Sequence, residues 1–223
     1  MRIFPLGEEA ITVEFSCQMS LQSNDKAIQL AALIEREPFP GFIECVPAYA
    51  SVTVFFDLAA VRFALPKSET AFDAVSKIVN DAVKKIGSPK TAKPHRLIEI
   101  SVSFATEDAP DLTDAAAEAV LSRQDFIDIF LSQTYRVYML GFLPGFAYMG
   151  ELDERIACPR LQTPRQKVPR GSVGIAGRQT GIYPLESPGG WRLIGRSDAK
   201  IFNPSGDPMC CFTAGDEVRF LAR

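Results

Sequence analysis

Tyr135 to Phe202 read YRVYMLGFLPGFAYMGELDERIACPRLQTPRQKVPRGSVGIAGRQTGIYPLESPGGWRLIGRSDAKIF. Glycine, proline, arginine and aromatic residues crowd this stretch, and the residues of an ordinary helix are sparse in it. Glycine admits backbone angles that other residues refuse, and proline fixes its own φ while removing a donor. So dense a use of both specifies loop geometry, and loops on a rigid scaffold are where binding residues collect. The apolar bursts between the glycines and prolines are short: Val173–Ile175, Ile182–Tyr183, Trp191–Ile194, Ile201–Phe202 and, further on, Glu217–Leu221. Short strands punctuated in this way predict a compact β-barrel.

Upstream of the quoted stretch, Ile98, Ile100, Val102 and Phe104 share one face of a strand. Helices are expected over Asp111–Val120 and Ser122–Gln133, with Ser122 and Asp125 at capping-box spacing. Arg136–Leu140 reads as a strand entering the loop-rich region. The amino-terminal part has a different rhythm. Ile11, Val13 and Phe15 alternate as a half-buried strand, and a helix from Asn24 to Glu37 carries Ala27, Leu30, Ala31 and Ile34 on one side. Ile43–Pro47 and Ser51–Asp57 follow as strands. A second helix, capped by Ser68, has the stripe Phe72, Val75, Val79, Val83 and Ile86. The order β-α-β-β-α needs only a closing strand to make a split βαβ sandwich. The segment 87–94 is a break. The expected class is α+β: a small split-βαβ domain over 1–90 and a β-barrel domain over 91–223.

The 223 residues carry a net charge of −3 with no long basic run, which argues against nucleic acid as a partner. No apolar stretch approaches the roughly 20 residues of a membrane-spanning helix, and the first residues lack the layout of a signal peptide. Five cysteines without CxxC spacing are expected to be reduced thiols of a cytoplasmic protein, with adjacent Cys210 and Cys211 as strand filling. His95 is the only histidine and reads as linker, so neither a His-based triad nor a metal site is expected. No phosphate loop of the GxxxxGK[ST] type occurs.

Four segments hold candidate chemistry. In GFLPGFAYMG, Pro144-Gly145 favours a type II turn, and Phe146 and Tyr148, with Phe142, either floor a pocket for a flat molecule or close one end of the barrel. Arginines 160, 165 and 170 each follow a proline, with no acid among them. Held stiffly, such guanidiniums grip a carboxylate at low entropic cost, although solvated surface arginines have the same look. GSVGIAGRQTGIYP spaces its glycines wrongly for a dinucleotide loop and suits close backbone packing. It offers Ser172, Gln179, Thr180 and Tyr183 as neutral hydrogen-bonding groups. Trp191, behind a Pro-Gly-Gly turn, is a core plug or a pocket wall. The carboxylates between 141 and 197 are Glu151, Asp153, Glu154 and Glu186, the first three in a solvated ELDER turn. None forms a recognisable general base, so another chain is expected to complete any chemistry.

GEEAITVEF and GFIECVPAYASVTVFFD at the amino end, with YMLGFLPGFAYMGELDERIACPRLQTPRQKVPRGSVGIAGRQTGIYPLESPGGWRLIGR in the second half, resemble the allophanate hydrolase subunit 1 (KipI) family. That family includes the B subunit of 5-oxoprolinase and the KipI-type inhibitor of a histidine kinase. The resemblance implies a cyclophilin-like barrel, without implying prolyl isomerisation. It implies a partner of the KipA (allophanate hydrolase subunit 2) type and a third subunit of the LamB/YcsF type. Together such subunits open the lactam of 5-oxoproline to glutamate, with ATP and Mg²⁺ used by the complex and not necessarily bound by this chain. The alternatives it leaves are an inhibitor of a sensor histidine kinase and a subunit of an allophanate- or urea-processing enzyme, since fused relatives form the carboxyltransferase part of urea carboxylase. Carried over position by position, the expected substrate-binding residues are Phe142, Phe146, Tyr148, Arg160, Arg165, Ser172, Gln179, Tyr183, Trp191 and Arg196. Two departures stand out: Phe130 occupies a position where the family commonly has histidine, and Ser103-Phe104 replaces a common Tyr-Gly.

Overall fold

The computed structural model describes residues 1–86 and 96–223. The break at 87–94, the domain boundary expected at 90/91 and His95 lie outside the described residues. The chain divides into two compact units, Met1–Pro94 and His95–Arg223.

The first unit runs β1 (Arg2–Pro5), β2 (Ala10–Glu14), α1 (Leu21–Arg36), β3 (Phe42–Pro47), β4 (Ser51–Phe56), α2 (Leu58–Ala64) and α3 (Ala71–Lys85). Its sheet has the order β1-β2-β4-β3. Both β2 and β3 pair antiparallel with β4, so they are parallel to each other with β4 between them, and β2-α1-β3 is a split βαβ unit. The closing strand expected after the last helix is supplied instead by β1, which pairs with β2 at the outer edge. Ile11, Val13, Val52, Val54 and Phe56 meet Ala27, Leu30, Ile34, Val75 and Val79 in one core.

Local capping moves both helix starts from their expected places. Ser20 caps α1 by accepting from the Ser23 amide, and the buried Asn24 inside the helix donates its Nδ2 to the Ala48 carbonyl at 3.0 Å. Thr70, not Ser68, caps α3. Its hydroxyl accepts from the Asp73 amide (3.0 Å), and the Asp73 carboxylate accepts from the Thr70 amide (3.1 Å), a reciprocal box that Ser68 has no partner to form.

The second unit contains β5 (Leu97–Val102), α4 (Leu112–Glu118), α5 (Arg123–Leu131), β6 (Thr134–Leu140), β7 (Ala147–Gly150), β8 (Arg165–Val168), β9 (Ser172–Ala176), β10 (Gln179–Ile182), β11 (Ser187–Gly189), β12 (Arg192–Arg196) and β13 (Glu217–Ala222). Seven strands form one sheet in the order β12-β9-β10-β7-β6-β13-β5, while β8 and β11 make a separate ribbon. The two edges of the large sheet meet. Just past β5, Ser103 exchanges both backbone hydrogen bonds with Arg196 of β12, at 2.8 and 2.9 Å. That pair all but closes the sheet into a barrel and leaves little exposed edge. The meeting requires glycine at 195, because a Cβ there would lie 2.6 Å from Val102 Cγ1 and 3.1 Å from the Ser103 carbonyl. Ile100, Val102, Val137, Met149, Val173, Ile175, Ile182, Ile194, Val218 and Phe220 fill the interior, with Leu112, Phe126 and Phe130 from the helices.

Helix α4 is shorter than the expected Asp111–Val120, and Val120 beyond its end has a left-handed φ of 56°. The burst Ile201–Phe202 forms no strand, only a bridge from Phe202 to Cys210, so Cys210 and Cys211 are half-buried loop residues and not strand filling. All five cysteines are free thiols.

Gly195→Ala should cost about 1–3 kcal/mol of stability in urea denaturation, the usual penalty for forcing a group into a packed site; an unchanged midpoint would mean that the two edges close without it. Thiol chemistry offers a second check. Burial pushes the Cys45 thiol up to about 12, with Glu35 and Glu44 adding to the effect, and pushes Cys158 up to about 11. The folded values lie above the ordinary thiol value of about 8.5. Their contribution to stability is therefore whole below that pH and is lost as pH rises through the folded values. Alkylation of the native chain near pH 8 should modify exposed Cys17 and spare Cys45 and Cys158 until denaturant is added; equal rates at all three would contradict the packing.

Candidate functional site

Side chains alternate along β9, and the two sides have different roles. Val173 and Ile175 enter the barrel interior, so Ser172, Gly174 and Ala176 face outward. The register places Gly181 opposite Gly174 and Gln179 opposite Ala176, and Tyr148 of β7 lies outward between the interior residues Ala147 and Met149. On this outer face sits a second, smaller core of Phe146, Val168, Ala176, Tyr183, Trp191 and Leu193, with Leu143 and Tyr148 packed against it. The glycines make room for it. A Cβ on Gly174 would stand 3.0 Å from the Trp191 Cβ, and one on Gly181 would stand 3.0 Å from the Phe146 ring and 2.7 Å from the Ala147 carbonyl.

The rings interlock edge to face. Phe146 lies 4.9 Å from Tyr148, 5.4 Å from Tyr183 and 5.5 Å from both Trp191 and Phe142. Such geometry aligns ring edges with ring faces and is stabilising beyond area alone. Exposure separates two roles. Phe146, Tyr183 and Trp191 are 1%, 1% and 5% exposed and form the floor, whereas Phe142 is 59% exposed and Tyr148 is half-buried. The cluster lies on the barrel's outer face, not at one end of it, and Trp191 is a plug in that outer core.

Phe142 is presented by an unusual turn. Leu143 N donates to Gly141 O (2.9 Å) around Phe142, whose φ is 71°, and Phe146 N donates to Leu143 O (2.9 Å) around Pro144 and Gly145, whose φ is 80°. The second is the expected type II turn. The first is a γ-turn in a backbone region that costs a bulky residue energy, and strain of this kind gathers at functional positions.

The guanidiniums divide. Arg165 opens β8, and its Nη2 donates to Asp111 Oδ1 at 2.6 Å, while its Nη1 is buried with no hydrogen-bond partner. Arg160 is exposed, with no hydrogen bond or ion pair among the described residues. Both lie close enough to act on Tyr183: burial raises its hydroxyl pKa, and the Trp191 backbone hydrogen bond, Arg160 and Arg165 oppose the rise. Tyr183 is therefore a neutral phenol at physiological pH. Arg196 is engaged elsewhere, its Nε donating to the Arg170 carbonyl (3.2 Å) and its Nη1 lying 3.9 Å from Asp108. Ser172 and Gln179 share the outer face with the rings.

Asp111 reads from the sequence only as a helix start, yet it makes no side-chain cap. Its nearly buried carboxylate instead accepts from Arg165 and, through Oδ2, from the Leu193 amide at 2.6 Å, where β12 has a bulge. A lone aspartate 54 residues before the arginine it holds leaves no local signature.

Among the described residues, the carboxylates of this stretch are all paired. Glu151 and Glu154 pair with Arg178 (2.8 and 3.1 Å), Glu186 pairs with Lys167 (3.2 Å), and Arg155 lowers Asp153 to about 2. Leu152 and Ile156, on either side of the start of the short 3₁₀ turn Glu154–Ile156, are buried, so the ELDER segment is solvated only on its charged side. Among the described residues no group of three or more His, Cys, Asp or Glu is placed to hold a metal ion, and no helix is long and apolar enough to cross a membrane. The two departures from the family pattern touch each other. Phe104 meets Phe130 edge-on at 6.3 Å, and Phe130 stacks at 4.9 Å on Phe220 inside the barrel core, not among the rings of the outer face.

Residues 1–212 match the family described as carboxyltransferase domain, subdomain C and D. The B subunit of 5-oxoprolinase from Bacillus subtilis is 42% identical over 99% of this chain and 92% of its own, and that of Escherichia coli O157:H7 is 36% identical over 99% and 95%. The crystal structure of TTHA0988 superposes on 96% of this chain with a TM-score of 0.81 at 31% identity, and the chain spans 40% of that longer polypeptide.

Arg165→Ala should lower stability by about 1.5–3 kcal/mol, because a buried carboxylate loses its charged partner, while Arg160→Ala should leave the denaturation midpoint unchanged. Equal effects from the two would show that the Asp111 pair contributes nothing.

Proposed function

The chain belongs to the carboxyltransferase subdomain C and D family, and from that premise we propose that it is the B subunit of an ATP-dependent 5-oxoprolinase, a cytoplasmic enzyme whose reaction site this chain forms only in part. One observation carries the reading: 42% identity that runs through 99% of this chain and 92% of its 5-oxoprolinase relative.

The outer-face cluster supports it chemically. 5-Oxoproline is a small, flat lactam bearing a carboxylate. The buried, unpartnered Arg165 Nη1 and the uncommitted Arg160 are matched to that carboxylate, and Phe142 and Tyr148 offer ring surface to the lactam. Arg165 is pre-positioned by Asp111, so little freedom is lost when it takes a second partner. Tyr183, kept protonated by burial, remains a neutral part of the floor beneath the exposed rings. Phe146 and Trp191 exclude water from beneath and fix the rings above them. Ser172 and Gln179 line the same face, and Arg196 acts at a distance, holding the Arg170 turn in place.

ATP, used with Mg²⁺ by the complex, supplies the driving force for opening the amide. The carboxylates on this part of the chain are tied to arginines and a lysine, so proton transfer falls to a KipA-type partner covering the cluster, with a LamB/YcsF-type subunit completing the assembly.

The test is reconstitution. Mixed with the two partner subunits, 5-oxoproline, Mg²⁺ and ATP, the chain should support glutamate release; an intact complex that releases none would remove the assignment. Within an active complex, Arg160→Ala should lower kcat/KM by roughly 10- to 100-fold, the worth of a charge-assisted contact, and lysine should rescue little of it. Unchanged kinetics would return Arg160 to the solvated surface.

A further inference from the structure

A cleft of about 260 Å³ is lined by Arg170, Leu185, Lys200, Phe202 and Asn203. None of these residues belongs to the ring cluster, although the Phe202 Cβ borders the turn at Gly145. The walls are built from two pinned segments. Gly171, with φ of 84°, lets the 169–171 turn press against the backbone at Ser197, where Ser197 N donates to Gly171 O at 2.8 Å and Arg196 Nε donates to Arg170 O at 3.2 Å. Opposite, buried Ile201 anchors an arm in which Cys211 N donates to Ile201 O (2.9 Å) and Asn203 N donates to Met209 O (2.8 Å). The cleft walls are thus held before any ligand arrives.

The charge on these walls is uncompensated. Among the described residues the Arg170 guanidinium and the Lys200 ammonium have no hydrogen bond or ion pair, and no lining residue is acidic. Nearby carboxylates are already engaged: Glu186 pairs with Lys167 at 3.2 Å, and Asp198 pairs with Arg223. Asn203 uses Oδ1 to accept from the Ser205 amide (3.2 Å), which leaves its Nδ2 to donate. On a chain of net charge −3, two unpaired cations and an amide donor share one concavity. Like charges lining one cleft repel, and an anion between them removes that penalty. Leu185 and Phe202 add an apolar wall.

We propose that this cleft is a binding site for a small phosphoryl-bearing anion with an apolar or aromatic portion, separate from the ring cluster. A phosphoryl group presents three oxygens to three donor side chains, more than a carboxylate can, and the apolar wall takes the organic portion. The cleft is open to solvent on one side. It accepts a small phosphate ester or the phosphate end of a larger one.

Titration calorimetry on the full chain alone, with phenyl phosphate, inorganic phosphate and benzoate as probes, tests this. Phenyl phosphate should bind tightest, with affinity falling as salt rises. Arg170→Ala and Lys200→Ala should each weaken it by about tenfold or more, with unchanged circular dichroism and melting, and Arg160→Ala should leave it intact. The site is overturned if phenyl phosphate gives no saturable heat, if the double variant Arg170→Ala/Lys200→Ala binds as well as the parent, or if benzoate binds as tightly. No partner subunit is needed, so the result stands whether or not the reconstituted complex releases glutamate.

Discussion

The site depends on a place where two neighbouring strands carry no side chain. Gly174 and Gly181 face each other across β9 and β10, and their outward hydrogens leave a flat patch on the barrel wall. Phe146, Tyr183 and Trp191 lie on that patch in edge-to-face contact, sealed from water. The ribbon of β8 and β11 takes part in this packing through Val168, and it also carries Arg165. Put a methyl group on either glycine and the rings must lift, which would carry Phe142 and Tyr148 away from the face they present.

Electrostatic order is imposed on this hydrophobic arrangement by Asp111. At the start of α4 it bonds the bulged strand β12 through the Leu193 amide and, with its other oxygen, the Arg165 guanidinium. The far end of the same helix is tied to the same strand by Glu118 and Arg192 at 2.7 Å. One short helix is thus clamped to the barrel at both ends, and an arginine is aimed as a consequence. Asp111 works as a positioning residue: its carboxylate is saturated, and the guanidinium it holds keeps one buried donor unused.

Closure of the barrel constrains everything around it. Ser103 and Arg196 join the two edges, and glycine at 195 is the condition for that approach. The same few residues carry consequences outward. Arg196 braces the Arg170 turn, and the segment after it leads into the cationic cleft. Phe104, next to Ser103, packs edge-on against Phe130, so the closure point is tied directly to the aromatic part of the barrel core.

Much of this was legible in the residues alone. Alternation in Ile11–Phe15 and Ile98–Phe104, the stripes of α1 and α3, the Pro-Gly turn and the Gly-punctuated bursts are local signals, since strand period, helix period and turn chemistry act over a few residues. They determined an α+β chain with a βαβ-like first unit, a barrel in the second, and a loop-rich aromatic and arginine segment as the place to look. The tertiary structure alone decided that β1 supplies the missing edge strand, that the rings lie on the outer wall and not at an end, that Arg165 is held while Arg160 is free, and that Arg170 and Lys200 share a cleft. Each of those outcomes joins residues far apart in the chain, such as Asp111 to Arg165 and Ser103 to Arg196. Long-range pairing is settled by which surfaces pack and which strand edges meet, and no short stretch of sequence contains that information.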